Sequence, residues 1–140
     1  MSAVATILTR RFPARADQLA DARGAIRDAL AAHGLFGQRA GDVVIAIDEA
    51  CQNVIRHAYG DAADGDIVLE LRLEASVLTA TLHDFAPHVP PDCMQPRDLD
   101  EVRPGGLGTH FILQVMDEVG FVEPPPEGGG NLLRMVKKLD

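Results

Sequence analysis

Cysteine is scarce in this chain. Two residues among 140, Cys51 and Cys93, support neither a disulfide framework nor a zinc site. Basic charge is scarce too: 13 Lys and Arg stand against 21 Asp and Glu, a formal net charge of −8. That balance argues against non-specific binding to nucleic acid or anionic membrane, whose phosphates attract basic patches. No apolar run approaches the ~20 residues that a membrane span requires. The N-terminal "MSAVATILTRRFPAR" carries its charges after its apolar part, the reverse of a secretory signal. Internal repeats are also lacking. These absences make the cytoplasm the expected location. What remains is a globular composition, 46% hydrophobic and 24% charged, in a length that fits one domain, residues 1–140, with a core of its own.

Periodicity outlines the elements. Val4 to Phe12 reads as a strand ending at Pro13, and Asp17 is placed to cap the helix that follows. In that helix Leu19, Ala22, Ile26, Ala29 and Leu30 recur at helical spacing, and Gly34 supplies a stop. A second helix is predicted from about Gln38 to Tyr59, with Val43, Ile47, Val54 and Ala58 as its buried stripe and Gly60 beyond its end. Ile67, Leu69, Leu71 and Leu73 then alternate with polar residues, as do Leu78, Ala80 and Leu82, which predicts a hairpin turning at Ala75–Ser76. From Ala86 to Gly106 the pattern dissolves into prolines and acids, a long loop of the kind that serves as a lid or lacks order. A third helix from about Thr109 to Glu118 and two closing strands, "GFVE" and "NLLRMVKKL", complete the order β-α-α-β-β-lid-α-β-β. The predicted fold class is α/β (α+β): a two-layer sandwich with a mixed, mostly antiparallel sheet and helices on one face.

Three features carry chemistry. Glu49, Asn53 and His57 fall at i, i+4 and i+8, one polar line beside the apolar stripe of the second helix. Taken alone, the line also reads as a solvated face. Asp84 ends an alternating strand where the lid begins, a usual place for a recognition carboxylate and equally for a loop cap. "RPGGLGTHF" is a glycine cluster opening into a helix, suited to close approach of an anion and also to a plain hinge. The remaining histidines, His33, His83, His88 and His110, show no ligand spacing and read as surface or capping residues.

In this order and spacing, the features resemble the GHKL superfamily of ATP-binding domains, the gyrase and histidine-kinase type. "EACQNVIRHAY" matches the N box, "HDFAP" echoes the first glycine box, and "GGLG" the second, with the lid, about 87–104, between them. "GGLGTHFILQVMDEV" looks most like small stand-alone bacterial anti-sigma-factor serine/threonine kinases. The resemblance implies ATP and Mg²⁺ as cofactors, with Asn53 holding the metal through its carbonyl oxygen, a hard ligand of the kind Mg²⁺ takes. It implies Glu49 as general base toward a protein hydroxyl. Asp84 would accept from the adenine amine, and Gly105, Gly106, Leu107, Gly108 and Thr109 would bind phosphate. His57 and Tyr59 would support the site, while Arg56 and Arg103 are candidates for the γ-phosphate. The box departs from Asp-x-Gly at Ala86, where a methyl group stands in place of none. The partners implied are a sigma factor and a STAS-domain anti-sigma-factor antagonist, with a homodimer expected and neither nucleic acid nor membrane. A non-catalytic binding module of the same fold is the alternative reading. A histidine kinase domain acting in trans is a third, disfavoured by the lack of a preceding helical hairpin with a phospho-acceptor histidine.

Overall fold

A computed structural model of the chain describes residues 4–58, 65–86, 106–124 and 129–139. Tyr59, Gly60, the body of the lid with Cys93 and Arg103, and Gly105 lie outside the described residues. The strands are β1 (Ala5–Pro13), β2 (Asp66–Glu74), β3 (Val77–Asp84), β4 (Glu118–Val122) and β5 (Asn131–Lys138). The helices are α1 (Leu19–Ala32), α2 (Gly37–Asn53) and α3 (Gly106–Val115). The sheet order is β1-β2-β3-β5-β4. All four pairings are antiparallel, so the parallel component expected of a mixed sheet is not found among the described strands.

Strict alternation explains the layers. Across the ladder Leu69 and Leu71 of β2 face Leu82 and Ala80 of β3, Ile67 faces Asp84 and the partly buried Leu73 faces Leu78, and every residue of these pairs but Leu73 is buried. The apolar ones meet the apolar stripes of the helices, Leu19, Ala22, Ile26 and Leu30 from α1 and Val43, Val44 and Ile47 from α2, in one core. The two-layer sandwich is thus as expected. Ala75 makes the hairpin turn in the left-handed region, φ +53°.

Helix ends differ in detail from the sequence reading. Asp17 does not cap α1: a 3₁₀ turn, Ala16–Gln18, precedes it, and Asp17 ion-pairs with Arg15 at 3.2 Å instead. At the other end Gly34, φ +82°, donates its N–H to Ala31 and Leu35 donates to Leu30, the paired bonds of a Schellman stop. α3 begins at Gly106, three residues earlier than predicted, and ends at Val115, so Glu118 opens β4 instead of closing the helix. Cys51, read as semi-buried, is fully enclosed, and burial pushes its thiol pKa up so that it stays protonated.

Candidate functional site

The second helix changes character where the polar line runs. α2 is regular to Asn53, then Val54–Ala58 winds as a π-helix. Such single turns within a helix recur at functional sites. Glu49 and Asn53 therefore share an α-helical face, whereas the backbone carrying His57 has left that spiral. Glu49 is half-buried, and no hydrogen bond or ion pair engages its carboxylate among the described residues. Arg56 turns back on Asn53, its Nη2 donating to the Asn53 carbonyl oxygen Oδ1 at 3.0 Å. Among the described residues the Arg56 Nε is buried without an acceptor.

α3 packs against α2, and a cavity of about 480 Å³ is lined by Gln38, Arg39 and Asp42 near the start of α2 and by Phe111, Gln114 and Val115 of α3. Gly106, Leu107, Gly108 and Thr109 form the first turns of that helix.

Asp84 ends β3 with its side chain almost wholly buried, at 2% exposure. Asn131 Nδ2 donates to its Oδ1 at 3.0 Å, the Ala86 backbone N–H donates to the same oxygen at 3.1 Å, and the Asn131 backbone N–H bonds the carboxylate as well. All three donors are neutral amides. Burial raises the carboxyl pKa above its ordinary value, and those hydrogen bonds, with the nearby His83, offset the rise only in part. A carboxylate offers about four lone-pair positions, so three amide donors leave capacity for one more N–H, such as an exocyclic amine. Ala86 is buried, and Ala75 is the one non-glycine residue with positive φ among those described. Ala86 therefore occupies backbone space that an L-residue takes without strain.

Three participants escaped the sequence reading. Gly130, φ +73°, packs so tightly on Asp84 that a Cβ there would lie 1.8 Å from the Asp84 carbonyl oxygen. Asn131, paired with Asp84 in the β3–β5 ladder, holds the carboxylate. His83, on the opposite face of β3, bonds the Gly129 carbonyl oxygen at 2.7 Å and stacks on Phe85, so adjacent residues grip the incoming loop from both faces of the sheet. "GGG" before "NLLRM" was the available signal, and it reads as a loop until the ladder register is known.

Among the described residues, a five-stranded antiparallel sheet under three helices, with an asparagine at the end of one helix and a buried aspartate at a strand end, is the architecture of an ATP-binding sandwich. The chain belongs to the histidine kinase-like ATPase domain family, whose model matches residues 12–137. Among characterised relatives, the serine-protein kinase RsbW of Bacillus pumilus is 26% identical over 134 residues, covering 85% of this chain and 80% of that one. RsbW of Bacillus velezensis is 33% identical over 91 residues, 56% of this chain and 54% of the relative, so this match spans about half of that protein's length. The crystal structure of the RsbU and RsbW domains of a Mycobacterium tuberculosis protein shares the fold, with a TM-score of 0.64 at 18% identity over 94% of this chain and 32% of that one. Among the described residues, no helix is long and apolar enough to cross a membrane.

Proposed function

We propose that the chain is an ATP-dependent serine/threonine protein kinase that also binds a sigma factor, its substrate being a STAS-type anti-sigma-factor antagonist. The observation that carries the reading is the uncommitted carboxylate of Glu49 one helical turn before Asn53, on a helix of the histidine kinase-like ATPase family. The RsbW relatives, which are serine-protein kinases by name, support it.

The residues present fit a magnesium nucleotide. The Asn53 carbonyl oxygen already accepts from a cationic donor, so its position tolerates positive charge, and oxygen is the donor type that Mg²⁺ takes. When bound, the metal supplies charge neutralisation at the phosphates. Asp84, fixed by Asn131 and Ala86, would receive the adenine amine, and Gly106 to Thr109 would offer backbone N–H groups at a helix start. Glu49 would take the proton from the attacking serine or threonine hydroxyl, a contribution of roughly 10²–10⁴ in rate. Phosphorylation adds about −2 charges to the antagonist and drives it from the interface.

Radiolabelled ATP, the folded chain and a cognate antagonist test the reading. Label passes to the antagonist with wild type, falls roughly 10²–10⁴-fold with Glu49→Gln while nucleotide still binds, and is lost together with Mg-ATP affinity in Asn53→Ala. No transfer by wild type rejects the kinase. The second reading, a non-catalytic module that sequesters a partner, draws on Ala86, buried and bonded to Asp84 where the family pattern has glycine. Calorimetry separates the two, because a module of that kind takes up no Mg-ATP at millimolar concentration.

A further inference from the structure

Arg56 is set in an unusual way for a cation. It is half-buried, and among the described residues its Nε has no acceptor, no carboxylate pairs with it, and its single hydrogen bond goes to a neutral amide oxygen. A buried guanidinium normally has an anion or several acceptors, because desolvation without them is costly. The segment that carries it is the π-helical turn, which places Arg56 three residues after Asn53 in the chain with its Nη2 3.0 Å from Oδ1. The oxygen it holds is the one that the proposed site assigns to the metal.

We propose that Arg56 is a resident cation of the nucleotide site: in the nucleotide-free protein its guanidinium occupies the Asn53 carbonyl oxygen, and it gives up that oxygen when magnesium nucleotide binds. This rests on the reading of Asn53 as the metal-binding residue. One oxygen then serves two cations in turn. In the resting protein Arg56 keeps Asn53 oriented toward the position a cation will take, so the site is shaped before it is filled. In exchange, the guanidinium must be displaced, which raises the magnesium concentration at which the nucleotide complex forms. Nucleotide without metal leaves the Arg56–Asn53 contact in place.

Heteronuclear NMR of the full chain tests the exchange without reference to activity, using ADP, which lacks the γ-phosphate and with it any contact that Arg56 makes there. In free wild type the Arg56 Nε–H and Asn53 side-chain amide resonances respond to each other's substitution. Both move on adding ADP with Mg²⁺, and neither moves with ADP in EDTA. In Arg56→Ala the Mg²⁺ needed for half-maximal response at saturating ADP falls about tenfold, the worth of one charge-assisted hydrogen bond. If wild type binds Mg-ADP while both resonances stay put, or if Arg56→Ala needs as much Mg²⁺ as wild type or more, the exchange is wrong and the metal site stands. If folded wild type binds no Mg-ADP at all, both fall together. Should Arg56→Ala not fold, the wild-type titrations decide alone.

Discussion

Two buried aspartates, one in the helix layer and one in the sheet, show how the same side chain serves opposite ends. Asp48 on α2 receives Arg23 Nη1 from α1 at 3.0 Å and Gln52 Nε2 from the next turn at 2.8 Å. Its charge is matched by a cation, and it joins two helices. Asp84 is more deeply buried, and only neutral amides hold it. The sheet thus keeps a carboxylate whose burial is only partly offset by its hydrogen bonds and by the nearby His83, an arrangement that costs the fold stability when the group is charged. The neighbouring residue sharpens the contrast, for Glu49 follows Asp48 directly yet points about 100° away around the helix and carries no partner among the described residues.

The contrast is broken most forcefully at Gly130. Gly130→Ala puts a Cβ 1.8 Å from the Asp84 carbonyl oxygen at φ +73°, so a loss of about 3 kcal/mol or more in urea unfolding is expected. A change under about 1 kcal/mol would mean that the loop is not clamped to Asp84. Asp48→Ala comes next, at about 1–2 kcal/mol, since it leaves Arg23 and Gln52 without their acceptor. The Arg23 side chain is 40% exposed and rehydrates, so a double-mutant cycle with Arg23→Ala is expected to give a coupling of about 0.5–1 kcal/mol. Asp84→Asn has the smallest effect on stability and the most telling pH dependence. The folded carboxyl titrates above the unfolded value of 3.8, so the protonated form favours the fold. Wild-type stability contributed by this group is complete below that value and is lost as pH rises through the folded pKa. Relative to wild type, Asp84→Asn therefore gains stability with rising pH by up to about 1.4 kcal/mol per pH unit across that interval, and under the proposed function it loses affinity for adenine nucleotide. A flat difference between the two across the acid range would show that Asp84 is no less well matched than Asp48.

Legibility followed the range of the interaction. The β2–β3 hairpin was plain in the sequence because alternation is local, and six core residues fell where the pattern put them. Glu49 and Asn53 were legible for the same reason, four residues apart on one regular helix. The π turn was not, because Val54 and Ala58 continue a four-residue spacing that an α-helix fits equally well. Asp48 escaped notice because its decisive partner is 25 residues away on another helix, and Asn131 because it meets Asp84 only across 47 residues of chain. The early start of α3 went unseen since glycine is a poor helix former, and packing against α2 outweighs that preference.

The strand order has a consequence for synthesis. β5 is made after every other strand, yet it is inserted between β3 and β4. A nascent chain on the ribosome can pair β1, β2 and β3 early, but Asp84 has only its local bond from Ala86 until Gly130 and Asn131 arrive. The packing around Asp84 is therefore completed in a single late step, and a chain stalled before Asn131 leaves that carboxylate without its partner from β5.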